Sequence, residues 1–170
     1  MTGALQRINQ ADETEVESIF RDCCGSAEWA RRMTAARPFA SEAEMLTTSA
    51  EVCGLLNRDD WLEAFSAHPK IGETKAAPTQ QERSAKWSAG EQAGMSLADE
   101  AVKHDLAAAN RSYFEKFGFI FIVCATGKSA AAMLELCRTR LGNDRETEIA
   151  NASMEQQKIT EIRLRKLLSL

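Results

Sequence analysis

The sequence predicts an all-α fold, a single-domain helical bundle of about seven to nine helices spanning residues 1–170. Three observations point there. Only three prolines and nine glycines occur among 170 residues, too few for turn-rich β structure. Helix-start patterns recur, with Ser or Thr followed three residues later by Glu or Asp. One run alone reads as β, Phe119 to Cys124 (FIFIVC), and a lone strand has no partner with which to form a sheet.

The elements follow in order. Ser41-x-x-Glu44 opens a helix reaching to about Leu56, the Ser oxygen taking a free N–H while the Glu reaches back. Asp59 or Asp60 opens a short helix carrying Trp61, Leu62 and Phe65, and Pro69 limits it because the residue before a proline avoids the helical region. Thr79-x-x-Glu82 and Ser88-x-x-Glu91 are two further capping boxes. Ser96-x-x-Asp99 starts a long helix with Val102, Leu106, Ala109, Tyr113 and Phe117 at helical spacing and Gly118 as its C-cap. FIFIVC reads as a buried, extended or helical segment. A helix follows from about Lys128 to Leu141, and the last runs from about Arg145 to Leu168.

Composition excludes several functions. Twenty-one basic against twenty-five acidic residues give a net charge of −4, which argues against nucleic acid as a partner. The longest apolar run, Phe117 to Ala125, is far shorter than the roughly 20 residues of a membrane span. Five cysteines at 23, 24, 53, 124 and 137 lack C-x-x-C spacing, so they are expected as buried free thiols in a reducing compartment. Met1 to Thr14 lacks the pattern of a signal peptide, and a cytoplasmic location is expected.

Some motifs are decoys. Ala125-Thr126-Gly127-Lys128-Ser129 resembles the end of a P-loop, but the position needing glycine is Ile122. Cys124 as a nucleophile requires partial exposure and a lowered pKa, and it lies in the most apolar stretch. His104 lies on a mixed helix face and reads as solvated. His68 and His104 have no H-x-x-x-H spacing, and no metal site is expected.

Three positions carry chemistry. His68 stands where Pro69 fixes the chain after a helix, suited either to proton transfer or to satisfying terminal carbonyls. Glu91 and Gln92 sit among small residues that allow a ligand near the backbone, although from position alone the capping box with Ser88 is the favoured reading of Glu91. In the last helix Ala152, Gln156, Ile159, Arg163 and Leu167 share one face, opposite Lys158, Glu161, Arg165 and Ser169. Arg163 therefore points inward and is expected to meet a carboxylate of the protein or of a ligand.

Taken in order, His68-Pro69-Lys70-Ile71-Gly72, Ser88-x-x-Glu91-Gln92, Asn110-x-x-Tyr113-x-x-Lys116-Phe117-Gly118-Phe119, the following apolar run and Lys158-Ile159-x-x-x-Arg163-Leu164 resemble the 2-oxo-4-hydroxy-4-carboxy-5-ureidoimidazoline (OHCU) decarboxylase family of uric acid degradation. The resemblance implies an all-helical, often dimeric enzyme that converts OHCU to (S)-allantoin and CO2 without a cofactor. It implies His68, Glu91 and Arg163 as catalytic residues. It implies Pro69, Ser88, Gln92, Phe121, Ile122, Val123, Cys124 and Ala125 as substrate-binding residues, the last five through backbone contacts. Ile120 replaces a proline frequent in the family, and Lys70 replaces an acidic residue, which bears on local backbone shape and the pocket rim. Two competing classes are a non-catalytic helical binding module of the same fold and a small-molecule hydrolase using Cys124.

Overall fold

The computed structural model describes residues 3–69, 86–87 and 99–169. The regular structure among them is eight helices: α1 (Gly3–Gln10), α2 (Glu13–Cys24), α3 (Ala27–Ala35), α4 (Glu42–Cys53), α5 (Arg58–Ser66), α6 (Glu100–Phe117), α7 (Ala130–Arg140) and α8 (Arg145–Leu168). The fold is all-α, as the sequence predicts. None of these helices is long and apolar enough to cross a membrane.

Three helices precede the first one the sequence reading placed. Asp12 caps α2 by accepting from the Thr14 N–H, and Gly25 closes it in the left-handed region at φ 92°. Ser26 caps α3 through the Trp29 N–H. Helix α4 starts at Ser41 as expected: its hydroxyl accepts from the Glu44 N–H, while the Glu44 carboxylate reaches back to the Ala40 N–H. The helix stops at Cys53, before Leu56.

Two caps differ from the sequence reading. Asn57 rather than Asp59 or Asp60 opens α5, because its Oδ1 accepts from both of their N–H groups, and Asp60 returns a bond to the Asn57 N–H. Asp99 itself caps α6, accepting from the Ala101 N–H. The sequence assigned it the later position of a box beginning at Ser96, which lies outside the described residues, as do Thr79–Glu82 and Ser88–Glu91. Gly118 closes α6 at φ 77°, its N–H bonded to the Phe114 carbonyl. Ser129 caps α7 at Ala130, slightly inside the expected start, and Asp144 opens α8 by accepting from Thr147.

The chain forms two compact units, residues 1–64 with 157–170, and residues 65–156. In the first, α2 packs on α3 and α3 on α4. Its core holds Leu5, Val16, Phe20, Trp29, Met33, Phe39, Met45 and Leu164. Phe20 meets Trp29 and Phe39 edge-on, with ring centroids 5.9 and 6.3 Å away. Asn9 fixes the α3–α4 connection by exchanging two hydrogen bonds with the Phe39 backbone. Arg37 donates to the carbonyls of Ile8 and Ala11, satisfying the end of α1.

In the second unit α6 packs on α7. Leu106, Tyr113, Phe117, Phe119, Phe121, Met133 and Cys137 make its core. FIFIVC runs through it as a largely buried segment outside helix and sheet, which sets the helical alternative aside. All five cysteines are buried and free. Burial pushes the thiols of Cys24 and Cys137 up to about 11 and that of Cys53 to about 12, so they stay protonated at neutral pH.

Candidate active site

His68 follows α5 by one short turn. Its N–H donates to the Phe65 carbonyl at 3.2 Å, so it remains tied to the helix end that Pro69 terminates. His68 and Pro69 are half-buried. Phe65 packs on Phe119 with centroids 5.3 Å apart, which couples the end of α5 to the start of the FIFIVC segment. His104 is the contrasting histidine: its side chain is 81% exposed beside Asp105 on α6, a solvated position as the sequence predicts.

Phe121, Ile122, Val123, Cys124 and Ala125 are all buried. A buried segment outside helix and sheet must find partners for its peptide groups elsewhere. Here they are charged side chains. Arg140 Nη1 donates to the Ile122 carbonyl at 2.8 Å. The Cys124 N–H donates to Glu155 Oε2 at 2.7 Å, and the Cys124 carbonyl accepts from Lys128 Nζ at 2.7 Å. The turn that follows places Gly127 at φ 78° and leads directly into α7, the structural role left once the P-loop reading is set aside.

A polar cluster backs this segment. Glu148, fully buried, accepts from Arg140 Nε at 2.8 Å, from Asn143 at 2.7 Å, from Asn151 at 2.9 Å and from the Tyr113 hydroxyl. Burial alone would raise its pKa. The hydrogen bonds from Tyr113, Asn143 and Asn151 and the Arg140 charge outweigh that, and the carboxyl is held below the ordinary glutamate range. Burial, reinforced by Glu148, raises Tyr113. The Arg140 guanidinium also lies 4.8 Å from the centre of the Phe121 ring.

Sequence reasoning missed Arg140, Glu148 and Glu155. The signal for Arg140 was present, since Ala130, Met133 and Cys137 form an apolar stripe that continues at Arg140. Likewise Glu148 stands four residues before Ala152 and eight before Gln156 on the buried face of α8. Each is a charge on an apolar face, as Arg163 is.

Arg163 belongs to the first unit and is 2% exposed, so the inward orientation read from helical spacing holds. Its Nη1 donates to the Asp22 carbonyl at 3.3 Å, near Cys24 and Thr160. Ser88, Glu91 and Gln92 lie outside the described residues, as does Lys70. The described site residues thus fall into two sets, His68, Pro69 and residues 121–125 in one unit and Arg163 in the other. Among the described residues no group of three or more His, Cys, Asp or Glu side chains has the arrangement to hold a metal ion.

Comparison with known proteins identifies relatives of the chain. A family model described as OHCU decarboxylase matches residues 9–165. The uric acid degradation bifunctional protein TTL of Arabidopsis thaliana is 40% identical over 154 residues, covering 90% of this chain and 47% of that protein. The chain spans between about a third and a half of the length of the bifunctional curated relatives it matches. The 2-oxo-4-hydroxy-4-carboxy-5-ureidoimidazoline decarboxylase of Haloferax volcanii is 26% identical, with 94% of this chain and 93% of that one covered. A crystal structure of OHCU decarboxylase in the presence of (S)-allantoin superimposes with a TM-score of 0.78 at 35% identity, over 94% of this chain and 100% of that one. With a family-model match over residues 9–165 and this likeness to a solved structure at 35% identity, the chain belongs to the OHCU decarboxylases.

Proposed function

We propose that this chain is a carboxy-lyase that converts OHCU to (S)-allantoin and CO2 in uric acid degradation, acting as one domain over residues 1–170 and without a cofactor. The observation that carries the reading is the likeness, over 94% of this chain, to a solved OHCU decarboxylase in the presence of (S)-allantoin.

Breaking the bond to the carboxylate releases CO2 and leaves an electron pair on the ring carbon. The conjugated ring of the substrate accepts that pair, the hydroxyl on that carbon gives up its proton to become the carbonyl, and a proton joins the neighbouring ureido-bearing carbon. The protein's task is to orient the carboxylate, stabilise the developing charge and deliver the proton to one face. His68 handles the proton of the hydroxyl that becomes the carbonyl, from a backbone fixed by Pro69 and by its bond to Phe65. Glu91 holds ureido or ring N–H groups and sets the protonation of His68. Arg163, a buried guanidinium, pairs with a substrate oxygen anion or with Glu91. Ser88, Gln92, Pro69 and the backbone of residues 121–125 hold the ring. Proton delivery from one side gives a single enantiomer of product. A homodimer and a cytoplasmic location complete the proposal, with neither nucleic acid nor membrane as a partner.

Freshly prepared OHCU incubated with the protein tests this. Circular dichroism should show (S)-allantoin forming faster than in buffer, and Glu91→Ala should lower the rate. A wild-type rate equal to spontaneous decay would remove the proposal.

A further inference from the structure

The segment 121–125 lacks the neighbouring strand its β-rich composition calls for among the described residues, and three charged side chains take that strand's place. Arg140 is committed four ways, to Glu148, Tyr113, the Phe121 ring and the Ile122 carbonyl. Glu155 and Lys128 act on a single residue. The carboxylate takes the Cys124 N–H and the ammonium takes the Cys124 carbonyl, both at 2.7 Å. Bonds on either side of one Cα fix the two peptide planes that meet there, and bonds to ionised groups are roughly twice as strong as neutral ones. Those planes carry the carbonyl of Val123 and the N–H of Ala125, so fixing Cys124 sets the direction in which its neighbours' polar groups face.

We propose that Glu155 is a positioning residue for catalysis, holding the Cys124 amide so that the backbone of residues 121–125 is preset to receive the substrate ring. The inference rests on the proposed decarboxylase function. Glu155 acts through the backbone it bonds. Its removal therefore acts by misplacing the binding surface, and a misplacement of about 1 Å costs up to about 100-fold in rate.

The test is steady-state kinetics on OHCU for wild type, Glu155→Ala, Glu155→Gln and Glu155→Asp. Each is assayed well below its own unfolding midpoint, so that every molecule counted is folded. Glu155→Ala should lose about 10- to 100-fold in kcat/KM, with KM rising more than kcat falls, because ring contacts act in both ground and transition states. Glu155→Gln keeps an acceptor oxygen at the same reach and should restore kcat/KM to within about fivefold of wild type. Should Glu155→Ala not fold, Glu155→Asp decides. Its shortened carboxylate should raise KM severalfold, and an unchanged KM would overturn the inference. An active wild type whose Glu155→Ala variant keeps both kcat and KM would overturn it too, whatever the change in unfolding midpoint, since a purely structural residue behaves that way. A wild type without turnover above spontaneous decay instead removes the decarboxylase reading, and this inference with it.

Discussion

Arg163 and Arg140 are both buried arginines on inward-facing sides of their helices, with 2% and 9% of their surface exposed. A guanidinium keeps its charge at any accessible pH, so each must be met by oxygen atoms. The spacing of α8 made Arg163 legible as an inward charge. It did not identify the partner, because Asp22 is 141 residues away and offers its backbone carbonyl. Arg140 has the same signature on α7, but its partner Glu148 lies across the turn to α8 and Tyr113 lies on α6, so the cluster exists only once three helices pack. Replacing Glu148 by Gln leaves Arg140 without its buried counter-charge and should cost about 3 kcal/mol at pH 7, measured by chemical denaturation. The pH dependence follows from the lowered folded pKa. The stabilisation is fully present above the unfolded glutamate value of about 4.3, and it is lost as pH falls through the lower folded value. The gap between wild type and Glu148→Gln should therefore be constant near neutrality and shrink below about pH 4. For Arg163→Lys, a point charge replaces a planar fork, and kcat/KM on OHCU should drop by about 100-fold with the fold retained by circular dichroism.

At the scale of elements, the caps determine where helices begin and end. The starts of α4 and α8 fall where the sequence reading placed them and α7 begins two residues inside its expected start, and in each Ser41, Ser129 or Asp144 carries an oxygen that accepts from an N–H group inside the first turn. Where two acidic or polar residues compete, as at Asn57 against Asp59 and Asp60, pattern alone does not choose. The winner is the side chain whose oxygen reaches two free N–H groups. Helices α1 to α3 carried comparable signals in Asp12, Ser26 and Gly25, and apolar residues at helical spacing such as Val16, Phe20 and Cys24 in α2, yet the sequence reading placed no helix before Ser41. FIFIVC is the reverse case, where β propensity yields to tertiary context because Arg140, Glu155 and Lys128 satisfy its backbone. Two substitutions test the element boundaries by thermal or chemical unfolding. Ser129→Ala removes the α7 cap and should cost about 1 kcal/mol. Gly118→Ala meets no atom within 4 Å, so its cost of about 1–2 kcal/mol should come entirely from the left-handed backbone at φ 77°.

For the molecule as a whole, the order of motifs carried more than any single motif. His68 alone is as compatible with a helix-terminal role as with proton transfer, and Glu91 alone reads more readily as a cap than as a ligand. Their sequence together with Arg163 matches one family, and the family model spans residues 9–165. The all-helical fold was legible because turn residues are scarce and capping signals frequent. The grouping into two compact units was not, since residues 157–170 join residues 1–64 across most of the chain length, a pairing that helical periodicity does not encode. The proposed homodimer is open to sedimentation velocity, which should give about twice the 18.8 kDa chain mass. The decarboxylase reading itself is tested most directly by the rate of (S)-allantoin formation from fresh OHCU, followed by circular dichroism, for wild type and His68→Ala side by side. The expected result is a wild-type rate well above that in buffer and a His68→Ala rate at least about 100-fold lower. A wild-type rate equal to buffer, or a His68→Ala rate equal to wild type, would contradict it.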